Sequence, residues 1–137
     1  MLDLDDEVLN VARQWVAKAE NDLKNAAHTV RLKTDCPTDT VCFHAQQCVE
    51  KYLKALLVLN GIDFSRTHQI STLLALLPAQ VRPSLTREEQ DRLTEYAVTT
   101  RYPGDYDPIS REEAQAAVQL ARRLRNQVRR RLPEVIR

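Results

Sequence analysis

Glycine is scarce in this 137-residue chain, and its scarcity bears on the fold. Only two glycines occur, Gly61 and Gly104. A fold of many short strands needs frequent turn residues, so the long stretches without glycine or proline favour helices. No apolar run approaches the ~20 residues that a helix needs to span a bilayer. We therefore expect an all-α protein that makes no use of a membrane.

The chain also lacks a strong net charge and a leader-like start. The formal net charge is +1, so the overall balance does not point to nucleic acid. The opening residues MLDLDDEVLN carry neither the basic nor the apolar region of a signal peptide, so we expect a cytoplasmic protein. Arginines crowd the other end of the chain. They are Arg122, Arg123, Arg125, Arg129, Arg130, Arg131 and Arg137. Basic residues suit the end of a helix, but seven exceed that need and leave phosphate binding open.

Cysteine spacing argues against a metal or redox centre. Cys36, Cys42 and Cys48 lie six residues apart and form no CxxC pair. Six positions on a helix turn the side chain by about 240°, so Cys42 and Cys48 cannot form a tight metal-binding pair. We expect reduced, buried thiols, no bound metal and no cofactor.

Apolar periodicity and helix-capping patterns predict a single domain over residues 1–137. The predicted helices cover residues 4–33, residues 39–60, a short segment from Ile70 that ends at Pro78, a segment opened by a capping box at Thr86, and a last segment opened by a second capping box at Ser110. We expect these to form an antiparallel up-and-down four-helix bundle with an additional short helix.

The second helix carries more apolar residues than one core face needs. Phe43 and Leu57 lie away from its main apolar stripe, with Glu50 between them at heptad spacing. They are expected either to form a homodimer surface or to fill a deeper core, if other helices cover both sides. Gly61 stands where a left-handed helix cap is needed, with Ile62 placed for its hydrophobic contact.

The second helix also carries a family resemblance. Residues 42–57, CFHAQQCVEKYLKALL, resemble the second-helix signature of HEPN domains. Residues 19–23 upstream, Thr67-His68 at the short helix and Arg101-Tyr102-Pro103 after the fourth helix fit the same pattern in order and spacing. The resemblance covers about residues 10–130.

This resemblance implies both an architecture and an association with nucleotides. HEPN domains are antiparallel helical bundles, usually homodimers. Many work with a small nucleotidyltransferase as partner or antitoxin in a toxin–antitoxin pair. One large branch consists of metal-independent ribonucleases, in which an arginine is followed by a histidine after four to six residues.

The ribonuclease spacing is absent from this chain. An arginine would have to occupy positions 21–23, 37–39 or 61–63 to match His28, His44 or His68, and none does. Arg101 and Arg125 likewise have no histidine at the required distance. Loss of this general acid–base group typically costs about 10²- to 10⁴-fold in rate, so we expect no catalytic residue and RNA only as a weak partner.

Three polar residues of the second helix form the first part of a candidate ligand site. His44, Gln47 and Lys51 fall within about 60° of one another on a helical projection. Gln47 offers donors and acceptors, Lys51 a positive charge for phosphate, and His44 a titratable ring. The alternative is an ordinary solvated flank on which Glu50 and Lys54 form an i,i+4 ion pair.

The second part of the candidate site lies outside this helix. His68 opens the short helix, where it could contact a ligand or hydrogen-bond a neighbouring segment. Arg101 and Tyr102 could hold a phosphate and stack on a base, although Arg101 could equally pin its loop to the bundle. These residues complete the predicted set.

Our principal interpretation is a non-catalytic binding module: a homodimer that binds a nucleotide or a nucleotidyltransferase partner. One alternative is a divergent ribonuclease that uses Arg101 with Asp105, Tyr106 or His44 assembled across the dimer. Another is a purely structural assembly module.

Overall fold

The computed structural model describes residues 5–98 and 108–137, and every regular element in them is helical. The helices are α1 (Asp6–Thr29), α2 (Thr38–Leu59), α3 (Ile70–Leu76), α4 (Arg87–Tyr96) and α5 (Arg111–Arg130), followed by a single 3₁₀ turn, Glu134–Ile136. The all-α prediction is confirmed. No helix in these two ranges is both long and apolar enough to cross a membrane.

Helix α2 lies at the centre of the bundle and packs against α1, α3, α4 and α5. The side chain of Thr38 donates a hydrogen bond to the carbonyl of Ile109, so α2 and α5 begin side by side. Further along both helices, Tyr52 and Arg125 meet at Glu20 of α1. Helices α2 and α5 therefore run in the same direction and α1 runs against them, as an up-and-down bundle requires.

The short helix α3 and helix α4 pack against each other and against α2. Glu89, near the start of α4, forms an ion pair with Arg123 in the second half of α5. Tyr96, at the end of α4, lies close to Glu113 near the start of α5. Helix α4 thus runs opposite to α5. Helices α1, α2, α4 and α5 form the four-helix bundle, and α3 is the additional short helix.

Two helix ends follow the sequence signals directly. Gly61 has φ of +66°, and the amide of Ile62 donates to the carbonyl of Leu57 at 2.9 Å, which is the glycine cap predicted for α2. The side chain of Thr86 accepts a hydrogen bond from the backbone of Glu89, and the Glu89 side chain accepts one from the backbone of Thr86. The capping box at α4 is confirmed.

Helix α1 ends four residues earlier than predicted. Its last turn closes with i→i−3 bonds from Arg31 to His28 and from Leu32 to Thr29 instead of continued i→i−4 bonds. Arg111 donates to the carbonyl of Val30, which satisfies one of the carbonyl groups left without a helical partner. A side chain from α5 therefore helps to end α1 several residues before Pro37, the proline that would in any case disfavour a helix in the residue before it.

The buried stripe of α1 differs from the prediction in the first half of the helix. The apolar period of the sequence predicts a core stripe of Leu4, Val8, Val11, Trp15, Ala19, Leu23, Ala26 and Val30. In the structure Val11 is exposed and Trp15 only partly buried, and Ala12 and Val16 are buried in their place, while Ala19, Leu23 and Ala26 are buried as predicted. The apolar period also predicts an inner stripe on α5, and all of its members are buried: Ala114, Ala117, Val118, Ala121, Leu124 and Val128.

The two apolar residues on the outer side of α2 have different surroundings. Leu57 is fully buried within the single chain, so its interpretation as part of a homodimer surface is wrong. Leu57 is part of the single core cluster, as the deeper-core alternative predicted. Phe43, by contrast, is only partly buried.

Candidate functional site

Asp22 of α1 gathers two of the predicted site residues. It is almost completely buried. One carboxylate oxygen lies 2.9 Å from Nδ1 of His44, and the other accepts a hydrogen bond from Nζ of Lys51 at 2.5 Å. Because the carboxylate can only accept, Nδ1 of His44 carries the proton and Nε2 is the remaining ring nitrogen. His44 and Lys51 are both partly exposed.

Glu50 of α2 gathers a second set of donors and is 3% exposed. Its Oε1 accepts from Nε2 of Gln46 at 3.0 Å and lies 2.8 Å from Nδ1 of His68. Its Oε2 accepts from Nζ of Lys54 at 3.2 Å. The Glu50–Lys54 pair exists as predicted, but the interpretation of this flank as solvated is wrong, because Lys54 is only 8% exposed.

The α2–α3 loop, residues 60–69, covers this buried pair. Nζ of Lys54 lies 5.3 Å from the centre of the Trp15 ring and 5.7 Å from that of Phe64, within the range of cation–π contacts. The two rings meet edge to face. His68 reaches Glu50 from the end of the same loop, so its hydrogen bond joins the loop to α2. Of the two roles predicted for His68, this is the hydrogen bond to a neighbouring segment.

Gln47 is linked to Glu50 through Gln46. The Nε2 of Gln47 donates to Oε1 of Gln46 at 2.7 Å, and Gln46 in turn donates to Glu50. Gln46 is completely buried, whereas Gln47 is partly exposed. The exposed amide of Gln47 is therefore the outer end of a chain of hydrogen bonds that starts at a buried carboxylate.

An aromatic ring adjoins these polar groups. Phe43, Gln47 and Lys51 lie four residues apart and so form one stripe along α2. All three are partly exposed. The rings of Phe43 and His44 are 5.6 Å apart. The stripe offers a ring, an amide and a cation along about 12 Å of helix, at the usual rise of about 1.5 Å per residue.

A third carboxylate stabilises the junction of α1, α2 and α5. Glu20 accepts hydrogen bonds from the Tyr52 hydroxyl and from the Arg125 guanidinium. Partial burial alone would raise the pKa of Glu20, but the bonds from Arg125 and Tyr52 outweigh burial and hold that pKa below its ordinary value. Arg125, one of the arginines compared with the ribonuclease spacing, is thus held in an ion pair within the bundle.

The cysteines form no reactive centre. Burial raises the pKa of Cys42 to about 12 and that of Cys48 still further, so both thiols stay protonated near neutral pH. The sulfur of Cys36 contacts the carbonyl of Thr29. Within the described part of the chain, no three histidine, cysteine or acidic side chains lie close enough together to hold a metal ion.

The structure brings some of the predicted residues together. His44, Gln47 and Lys51 share one face of α2, and His68 joins the same polar system through Glu50. Arg101 and Tyr102 lie outside the described residues. Sequence reasoning missed Asp22 as a shared partner, although an acidic residue beside Leu23 on the inner side of α1 was a usable signal.

The family of the chain can now be stated. The sequence model of the HEPN domain matches residues 12–131. This chain belongs to the HEPN family. One curated relative, named "Putative toxin MJ1304", comes from Methanocaldococcus jannaschii. It is 35% identical over 113 residues, which cover 75% of this chain and 72% of the relative.

Solved structures agree with the HEPN assignment. TT1696 from Thermus thermophilus superposes with a TM-score of 0.72 at 31% identity, covering 88% of this chain and 98% of that one. ST0689, described as an archaeal HEPN homologue, gives a TM-score of 0.66 at 27% identity, with 88% and 96% covered. The fold and the family are therefore established together.

Proposed function

We propose that this HEPN chain is a non-catalytic binding module that holds a nucleotide on the outer face of α2 and acts with a small nucleotidyltransferase as one half of a toxin–antitoxin pair. The observation that carries the proposal is the partly exposed stripe of Phe43, Gln47 and Lys51. Arg101 and Tyr102 are included as further contacts on the sequence pattern alone.

The chemistry of the stripe suits a nucleotide. A base can stack on an aromatic ring such as Phe43, an amide such as Gln47 can hydrogen-bond a base edge, and a lysine attracts phosphate as a point charge. Asp22 neutralises part of the Lys51 charge, so affinity from this lysine alone should be modest. A second cation would raise it, which is the role proposed for Arg101.

The absence of catalysis is supported by the arrangement of the arginines and histidines. Arg125 is held by Glu20 and cannot turn towards a substrate without breaking that pair. His68 binds the buried carboxylate of Glu50 through Nδ1 and so joins its loop to α2. Together with the missing arginine–histidine spacing, this favours binding over RNA cleavage.

The toxin–antitoxin setting is supported by the similarity to the M. jannaschii protein, whose name describes a toxin. If a small nucleotidyltransferase is encoded beside this chain, we expect it to co-purify with this chain after co-expression. We also expect a homodimer, which sedimentation velocity across a hundredfold range of protein concentration would detect as a single dimeric species.

The nucleotide half of the proposal can be tested by calorimetry with adenine nucleotides. We expect binding by the wild-type chain and weaker binding by Lys51→Met. Lys24→Met is the matched control, because Lys24 is an exposed lysine about 200° around α1 from Asp22, and it should bind as the wild type does. No heat of binding at millimolar nucleotide, or equal losses in the two variants, would contradict the proposal.

A divergent ribonuclease remains a second candidate because of one observation on His44. Its Nδ1 is oriented by Asp22, which leaves Nε2 in the position that a general base uses. Purified wild-type protein and the Arg101→Ala and His44→Gln variants would be incubated with RNA. Cleavage that disappears in both variants supports this candidate, and equal cleavage by all three indicates a contaminating nuclease.

A further inference from the structure

The hydrogen bonds behind Gln47 have a fixed direction. The Glu50 carboxylate, which also binds Lys54, offers only acceptors. Gln46 must therefore turn its NH₂ group towards Glu50, as its 3.0 Å bond shows. Its carbonyl oxygen then faces Gln47, which can satisfy it only with an N–H.

The direction of these hydrogen bonds determines which atoms of the Gln47 amide face the surface. One N–H of Gln47 is used internally, and its Oε1 receives no hydrogen bond from any residue in the described ranges. Gln47 is only partly buried, so this acceptor, with at most one N–H beside it, belongs to a side chain that a ligand can reach.

We infer that the ligand held at Gln47 donates a hydrogen bond to Oε1, and that it is a purine nucleotide read on its Hoogsteen edge, where adenine is the match. This inference rests on the proposed function and specifies its ligand. On the Hoogsteen edge of adenine the amino group donates and N7 accepts, so the pair complements a carbonyl oxygen with one N–H. The same edge of guanine presents two acceptors and does not.

Gln46 and Glu50 are thereby positioning residues for base choice, although both are buried and neither can touch the ligand. If the amide of Gln47 could rotate freely, it would offer N–H or oxygen according to the base and would discriminate little. Lys51, one turn further along the stripe, contributes charge for the phosphates and has no part in this choice.

The experiment compares ATP with purine riboside triphosphate, which lacks only the 6-amino group. A good amide–base pair discriminates by about 1–3 kcal/mol, which is roughly 5- to 150-fold in affinity. We expect the wild type to prefer ATP by at least about fivefold. Gln47→Met should bring the ratio close to one while triphosphate binding persists.

Gln46→Met tests the positioning role, because it removes the amide with little change of volume and leaves Glu50 bound to Lys54 and His68. We expect its ATP preference to fall towards one although Gln47 is intact. Circular dichroism melting checks that the variant is folded. Glu50→Gln serves as the second variant, because its amide can donate to Gln46 and so reverse the direction of the hydrogen bonds.

The outcomes separate the inference from the proposed function. Equal wild-type affinity for the two triphosphates, or an unchanged ratio in Gln46→Met and Glu50→Gln, overturns the inference and leaves nucleotide binding standing. Failure of both triphosphates to bind at millimolar concentration removes the inference and the nucleotide half of the proposed function together.

Discussion

Asp22 and Glu50 are two buried carboxylates that each bind one lysine and the Nδ1 of one histidine, and Glu50 also accepts a hydrogen bond from Gln46. At Asp22 the partners His44 and Lys51 are both partly exposed, and both come from α2. At Glu50 the lysine is buried with the carboxylate, and His68, whose side chain is 67% exposed, comes from the α2–α3 loop.

The difference shows how similar chemistry can serve separate purposes. The Asp22 centre joins α1 to α2 and leaves the Lys51 ammonium and the Nε2 of His44 within reach of solvent, where a ligand could meet them. The Glu50 centre is closed by Lys54 and by the rings of Trp15 and Phe64. We interpret it as a structural support that orders the loop and fixes the amides of Gln46 and Gln47.

Removing the carboxylate of the closed centre should have the largest effect. Glu50→Ala would leave Lys54 buried without its counter-ion, and breaking a buried pair in this way costs about 3–5 kcal/mol. Urea unfolding followed by circular dichroism measures the loss. Glu50→Leu combined with Lys54→Leu is the control, and it should recover much of the stability because no charge stays buried. A cost below about 1 kcal/mol for Glu50→Ala would contradict the proposed distinction.

The open centre should tolerate the same change better. After Asp22→Ala, Lys51 and His44 can turn to water, so we expect a loss of about 1–2 kcal/mol from the missing hydrogen bonds. The same urea experiment applies. If Asp22→Ala cost more than Glu50→Ala, the assignment of open and closed centres would be reversed.

The contribution of Glu20, the third carboxylate, to the free energy of unfolding should depend on pH. Its pKa in the folded state is held below the ordinary value of 4.5. Its contribution to stability is therefore present above about pH 4.5 and is lost as the pH falls through the folded-state pKa. The unfolding free energies of wild type and Glu20→Gln should differ by up to about 1 kcal/mol at neutral pH. This difference should shrink at acid pH, and a difference that grew on acidification would contradict the account.

His68 should contribute least. Its bond to Glu50 is made by a largely exposed ring, so His68→Ala should cost at most about 0.5 kcal/mol. Trp15 emission should change little, since Lys54 and Phe64 keep their places beside it. A large red shift of Trp15 emission would mean that the histidine, rather than the buried pair, holds the loop closed.

Sequence reasoning predicted the fold well where local signals decide it. Caps at Gly61 and Thr86 depend on residues within one turn, and both are present in the structure. The burial of Leu57 and the α1 end at Thr29 depend on what packs there from distant parts of the chain, and the period of a single helix carries no such information.

The candidate site was predictable in part for the same reason. His44, Gln47 and Lys51 share a face because helical geometry places them together. Asp22, the shared partner of His44 and Lys51, comes from another helix. The direction of the hydrogen bonds through Gln46 follows only once Glu50 is known to be buried and bonded to Gln46. The roles of Arg101 and Tyr102 stay predictions.

The central claim is that the outer face of α2 presents the Gln47 amide to a ligand. Side-chain amide resonances of ¹⁵N-labelled protein, followed while ATP is added, test it directly. The account predicts that the Gln47 resonances shift with saturation while those of Gln127, whose amide is bound to Ser84 on another part of the bundle, stay in place. Saturable shifts confined to other residues, with Gln47 unchanged, would contradict the claim.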